Sequence, residues 1–406
     1  MSQIVEMKKT KANKNQSGVV LILTLWIVVI LSVIAYSFSY EMQLEMTLTK
    51  LRKENMYAYG YARAGVARAI LNLKNDLIFD QLGGIERPCD SNDDIWGKNS
   101  KEYKEHMLNG TVSEGKKRKS RTGKDEDEEG FRVRVIDEAS KLPLNTSSAI
   151  LLKFALMTID VEKEDAEFLA NSIVDWRDED TIVEGGQGAN ENDYYSEEVG
   201  HPVIFKNDRF ATVEELLDVP GMTPEIFFGT REDDFYNFDS SKKHIRTKKD
   251  KEGIVGLKDM VTVYEDKVNV NTASREVLTA ISSVVMLDVG KGKDVADTII
   301  NFRDGTDVED SKDDELFKDV QGLSRIPGIP PNFTTIIPMT TFARNFTVES
   351  IGYYSEAQKN IITVVNRNWE VHQDVTQLVG LDKDKDSEQS QNLGEPKVRI
   401  FIWRED

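Results

Sequence analysis

The sequence predicts an α+β protein with a long N-terminal helix, a small antiparallel sheet and a large, mostly α-helical inserted domain built from two similar helical bundles. Three observations carry that prediction: an uncharged N-terminal run, an internal duplication in the middle of the chain, and apolar–polar alternation on both sides of the duplication.

The N-terminal run is VVLILTLWIVVILSVIAYSFSY, Val19 to Tyr40. As a helix it is ~33 Å long at 1.5 Å per residue, enough to cross a hydrocarbon core. Lys8, Lys9, Lys11 and Lys14 precede it against a single Glu6, a lysine excess that places the N-terminus in the cytoplasm and the bulk outside it. No proline follows, and Tyr61, Gly65, Ala69 and Leu73 keep helical spacing. One helix is therefore expected from Val19 to about Lys74, with a stripe of small residues, Ala58, Ala62, Gly65 and Ala69, turned toward something packed closely against it.

Residues 76–130 form a polar region with a basic block (Lys116 to Arg121) and an acidic one (Asp125 to Glu129), which reads as solvated loop. FRVRVID, 131–137, alternates like a half-buried strand and opens a first strand region at 131–142. Strand patterns return in 336–406, in ARNFTVESIGYY, KNIITVVNRN and KVRIFIWRED, with a polar loop from Asp382 to Pro396.

Between the strand regions the chain repeats itself. LPLNTSSAILLKFAL matches VNVNTASREVLTAIS, FLANSIVDWRDEDT matches VADTIINFRDGTD, and TVEELLDVPGMTPE matches DVQGLSRIPGIPPN. Asn145 pairs with Asn271, Trp176 with Phe302, and Pro220-Gly221 with Pro327-Gly328. The copies span 143–240 and 268–335, joined by a linker at 241–267. Asn and Thr are expected to cap the first helix of each copy, Pro-Gly to end the last, and Thr212 with Glu215 to form a capping box. The first copy is longer by roughly 19 residues, an acidic loop at 181–200, and insertions of this kind collect on exposed loops that often carry function.

Composition narrows the function. A net charge of −19 argues against nucleic acid or an anionic bilayer as the main partner of the soluble part. The single Cys89 excludes an internal disulfide. No nucleophile elbow, phosphate-cradling glycine loop or metal-spaced histidine pair occurs among His106, His201, His244 and His372, so no enzyme is expected. Oxygen-ligand chemistry is the credible site. Asp175, Asp178 and Asp180 lead into a glycine-containing insertion with Glu184, Asn190, Glu191, Asn192 and Asp193, and a hard cation such as calcium takes six to eight flexible oxygens. A solvated acidic loop is the alternative. DKDKDSE at 382–388 lacks the turn glycine and terminal glutamate of an EF-hand. VNVNTASREVL followed by a helix pair is similar to helix-hairpin-helix DNA modules, but SSVVMLDVGKGK stands where their Gly-hydrophobic-Gly turn belongs.

Gly18 directly before the apolar run resembles the cleavage site of prepilin peptidases, which cut on the cytoplasmic side and leave the helix on the mature chain. An uncleaved signal anchor and a conventional signal cut after Ser37-Phe38-Ser39 are the alternatives. With YARAGVARAI, SKLPLNT, VDWRDED, GANENDYY, VEELLDVPGM, VNVNTAS and FIWRED in that order, the chain resembles the protein K family of general secretion, the large minor pseudopilins of type II secretion systems. The resemblance implies a pilin-like core at 131–142 and 336–406, a cytoplasmic leader at 1–18, a membrane and assembly helix at 19–75, and a methylated mature N-terminus at Val19. It implies a place at the pseudopilus tip with minor pseudopilins I and J, on an inner-membrane secretion platform. Pseudopilins in general carry glutamate at the fifth mature position; here Leu23 stands there, as the protein K family also lacks that glutamate. Calcium is implied in the helical domain, with Asp175, Asp178, Asp180, Glu191 and Asp193 as candidate ligands. Family members have a disulfide near that region, which this chain cannot form. A type IV pilus minor pilin and a membrane-anchored DNA receptor are the rival functions.

Overall fold

The computed structural model describes residues 16–82, 89–97, 129–184, 189–231, 253–304, 316–330, 333–370 and 395–405. The leader up to residue 15, most of the 76–130 region, residues 185–188, the 232–252 stretch and the acidic run at 382–388 lie outside them. The chain divides into two compact units, Met1–Tyr57 and Ala58–Asp406.

Helix α1, Gln16–Leu82, contributes residues to both units and is longer than expected at each end. Nothing in DLIFDQL breaks it, and Leu73 and Leu77 continue a buried face. In the first unit the apolar residues from Val19 onward are exposed, Leu21 at 73%, over a stretch long and apolar enough to cross a membrane. The hydroxyls of Thr24 and Ser32 donate back to the carbonyls of Leu21 and Val28, at 2.9 and 2.8 Å. That leaves no unmet donor on this helix at those positions, as a hydrocarbon environment requires.

In the second unit the end of α1 packs on a four-stranded antiparallel sheet. Its strands are β1 (Glu129–Asp137), β6 (Asn345–Tyr354), β7 (Ala357–Glu370) and β8 (Glu395–Glu405), in the order β1-β6-β7-β8. Phe131, Val133 and Val135 alternate inward from β1 to meet Ala62, Val66, Ala69 and Leu73. The small-residue stripe is what lets helix and sheet touch. A Cβ at Gly65 would stand 2.1 Å from Ser350 Oγ, and one at Gly352 2.0 Å from the Ala58 carbonyl oxygen. Ser350 Oγ then donates to the Ala62 carbonyl at 2.8 Å.

The helical domain lies between β1 and β6 in the chain. Its first copy holds β2 (Leu142–Pro143), α2 (Ala149–Thr158), α3 (Lys163–Arg177), α4 (Glu191–Val199) and α5 (Pro224–Phe228). Two short strands follow, β3 (Val261–Thr262) and β4 (Val268–Asn269). The second copy holds α6 (Arg275–Met286) and α7 (Val289–Arg303), and β5 (Met339–Thr340) follows it. β2 pairs in parallel with β3, and β4 with β5.

The duplication is real at the level of single bonds. Asn145 accepts from the Phe210 N–H and donates to its carbonyl (2.8 and 3.0 Å); Asn271 does the same to Phe317, both at 3.0 Å. Arg177 donates to the carbonyls of Leu144 and Ser147, and Arg303 to those of Val270 and Ala273. Gly221 and Gly328 turn the chain at φ +86° and +91° after matching 3-10 turns at Val213–Asp218 and Val320–Arg325. Glu215 accepts the Thr212 N–H at 3.1 Å, as the expected capping box requires.

Two expectations change. The helix caps are Ser148 and Ser274, not the Asn/Thr pairs, because the asparagines are committed to the long-range bonds above. The two bundles share one core, and the described part of the 241–267 linker belongs to it, with Leu257, Met260 and Val261 fully buried.

Where β1 meets this domain, two buried carboxylates each accept from three donors. Asp137 accepts from Ala139 N–H (2.7 Å), Asn269 Nδ2 (2.9 Å) and Thr272 Oγ1 (2.5 Å). Glu138 accepts from Lys141 (2.9 Å), Thr262 (2.5 Å) and Thr347 (2.6 Å).

Candidate functional site

The described residues of the insertion in the first copy are fastened to one another and to α3. Arg177 ends α3, and the chain turns through Asp178 and Asp180 to Ile182, which bridges Asn190. The Val183 N–H donates to Ala189 and the Glu191 N–H to Thr181, at 3.1 and 3.2 Å. Asn190 caps α4 through the Asp193 N–H, and Gly200, left-handed at φ +77°, ends it. The chain then returns beside α4, fastened by Phe205 N–H to Asn192 (2.9 Å) and Val203 N–H to Ser196 (2.8 Å).

Three of the five expected ligands converge: Asp178, Asp180 and Glu191 each place a carboxylate oxygen within 4.8 Å of the others. Glu191 is 1% exposed, and its Oε1 is buried with no hydrogen-bond partner, as is Oδ1 of Asp178. Burial, followed by the charges of Asp175, Asp178 and Asp180, pushes the Glu191 carboxyl up to about 7. Burial and the neighbouring Asp180 raise Asp178 as well. Such orphaned, mutually repelling oxygens fit a hard cation in the way a hydrogen-bonded acidic loop would not.

The other two candidates do not join them. Asp175 is used from below: its oxygens accept from Tyr195 Oη at 2.7 Å and from the Glu184 N–H at 2.9 Å, and burial pushes its carboxyl up to about 6. Asp193 is exposed on the first turn of α4. The Asp175–Tyr195 bond also answers how the loop holds without a disulfide. Tyr195 is 1% exposed and packs its ring 4.8 Å from Phe205 and 5.4 Å from Phe168, so an aromatic cluster tied to a buried carboxylate joins the insertion to α3.

A second acidic group shows the contrast. Asp76, Asp90 and Asp94 also converge within 4.8 Å. There Arg367, fully buried on β7, supplies the cation: it donates to Asp76 at 2.9 Å and to Asp90. The helix-hairpin-helix reading loses its anion site too. Between α6 and α7 the Asp288 carboxylate accepts the Lys291 N–H at 2.8 Å, placing negative charge where a phosphate would have to sit.

Residues 135–229, which contain the whole insertion, match the family model for protein K of the type II secretion system. This segment is similar to protein K of that system. The fold agrees along the chain. One chain of the GspK–GspI–GspJ complex from the enterotoxigenic Escherichia coli type 2 secretion system superposes with a TM-score of 0.50 at 13% identity, covering 88% of this chain and 99% of that one. No curated protein matches the sequence. The resemblance to protein K drawn from the motifs is thus borne out by family and fold together. The three converging carboxylates lie inside the matched segment.

Sequence reasoning missed Asn207. Its Nδ2 donates to Glu191 Oε2 at 3.1 Å and to the Asp180 carbonyl. No motif contains it, and its relation to Glu191 exists only once the return segment has folded beside α4.

Proposed function

We propose that this protein is a minor pseudopilin of a type II secretion system, held in the inner membrane by α1 before it joins a pseudopilus. The observation that carries the reading is the insertion of a segment similar to protein K between β1 and β6 of a sheet packed on α1. In this reading a prepilin peptidase cuts after Gly18, and Val19 becomes the methylated mature N-terminus. Leu23 at the fifth mature position offers no carboxylate to a neighbour's N-terminal amine, so the subunit gains nothing from another above it and sits at the tip. Minor pseudopilins I and J are its partners, and the inner-membrane platform extends the filament beneath them.

Asp178, Asp180 and Glu191 are the residues that would hold calcium, and bound calcium would supply the positive charge their buried oxygens lack. Two measurements test the proposal. Detergent-solubilised full-length protein, expressed with its sibling minor pseudopilins and the peptidase, should co-purify with I and J and start at Val19 by mass spectrometry. Purification alone, with Met1 intact, overturns it. Calcium should raise the melting temperature of the protein but not of the Asp178→Ala, Asp180→Ala variant. An equal response in both returns the loop to a solvated acidic surface.

A further inference from the structure

The calcium reading leaves open what keeps the Glu191 carboxylate from folding away from the other two. The buried Glu191 has two oxygens with different fates: Oε2 accepts from Asn207, and Oε1 has no partner. The same Asn207 amide also donates to the main-chain carbonyl of Asp180. One side chain thus ties the start of α4 to the turn after α3, the two segments that supply the carboxylates.

Asn207 is itself held. Its backbone is left-handed at φ +47°, a conformation asparagine tolerates better than other residues with a Cβ. On either side, Phe205 is fastened to Asn192, and Lys206 donates to Glu215 Oε2 and to the Arg209 carbonyl, each at 2.7 Å. The turn is therefore anchored to α4 on one side and to the capping box at Thr212 on the other. A donor held so rigidly fixes the rotamer of the carboxylate it binds, as outer partners of metal ligands do.

We propose that Asn207 is the positioning residue of the cation site: it takes one oxygen of Glu191 and thereby presents the other, with Asp178 and Asp180, to calcium. This rests on the calcium reading and extends it to a residue outside the acidic loop.

The test separates the amide from the turn. Asn207→Gly keeps the left-handed backbone and removes the donor; Asn207→Ala removes both. Calcium affinity of the full-length protein in detergent, measured by isothermal titration with calcium chloride, should fall at least about tenfold in both variants, the range typical for loss of such a partner. The melting temperature of Asn207→Gly in chelator falls with the loss of these two bonds, so the deciding readout is the calcium affinity, which a merely structural asparagine would leave unchanged. Glycine binding calcium as tightly as the parent overturns this inference and leaves the calcium reading standing. A parent that binds no calcium overturns both. A lower melting temperature of the glycine variant in chelator, with unchanged calcium affinity, assigns Asn207 to the fold and overturns the positioning role.

Discussion

Single residues in this protein differ chiefly in whether a buried charge finds its opposite inside the fold. Around Arg367 it does, but incompletely. Asp76 and Asp90 share one guanidinium, while Asp94 beside them accepts from the N–H and hydroxyl of Ser91. Burial first, and the Asp76 charge second, push the Asp94 carboxyl up from 3.8 to about 8. A raised acid binds a proton in the folded chain that the unfolded chain releases, so its stabilising contribution is complete below about pH 4 and lost as pH rises through about 8. Asp94→Asn should therefore gain melting temperature over the parent between about pH 5 and about pH 9, read by thermal denaturation in matched buffers; a pH-independent difference would refute the assignment. None of this was legible in the sequence. Asp76 and Arg367 lie on α1 and β7, 291 positions apart, and nothing in either neighbourhood marks the other.

Elements show the opposite balance. The strands, the small-residue face of α1 and the duplication were all readable, because periodicity and repetition are local or self-referential signals. The stripe Ala58, Ala62, Gly65, Ala69 predicts close approach, and the structure supplies the surface approached, β1 and β6. Gly352→Ala puts a Cβ 2.0 Å from the Ala58 carbonyl, which cannot move without unwinding α1. A loss of about 1–3 kcal/mol in denaturant unfolding is expected. The repeat asparagines were readable as equivalent, but not in their role. An amide near a helix start can cap it or reach elsewhere, and the choice depends on Phe210 and Phe317, 65 and 46 residues away. Asn271 is 1% exposed and Asn145 only half-buried, so Asn271→Ala should cost more, about 2–3 kcal/mol against about 1. Equal losses would show that burial does not set the difference.

Over the second unit, the fold class was legible and the join between its parts was not. Alternation located both strand regions, and the repeat located the helices between them. The carboxylates of Asp137 and Glu138, which bind β4 and β6 to the end of β1, carry no sequence signature, since an Asp-Glu pair after a strand reads as any polar turn. The acidic insertion was found for the opposite reason: it is the one place where the second copy serves as a ruler for the first.

The order β1-β6-β7-β8 also sets a timetable. Asp137 must pair with Phe346, so β1 cannot join the sheet until the ends of the inserted domain have been drawn together. Helix contacts within each copy are far more local. Pulsed hydrogen exchange during refolding should find the amides of α2, α3, α6 and α7 protected before those of β1; simultaneous protection would show that β1 does not wait. Until that moment, the face of α1 carrying Ala62, Val66 and Leu73 lacks β1 to cover it, and the folding chain is at its most vulnerable to aggregation.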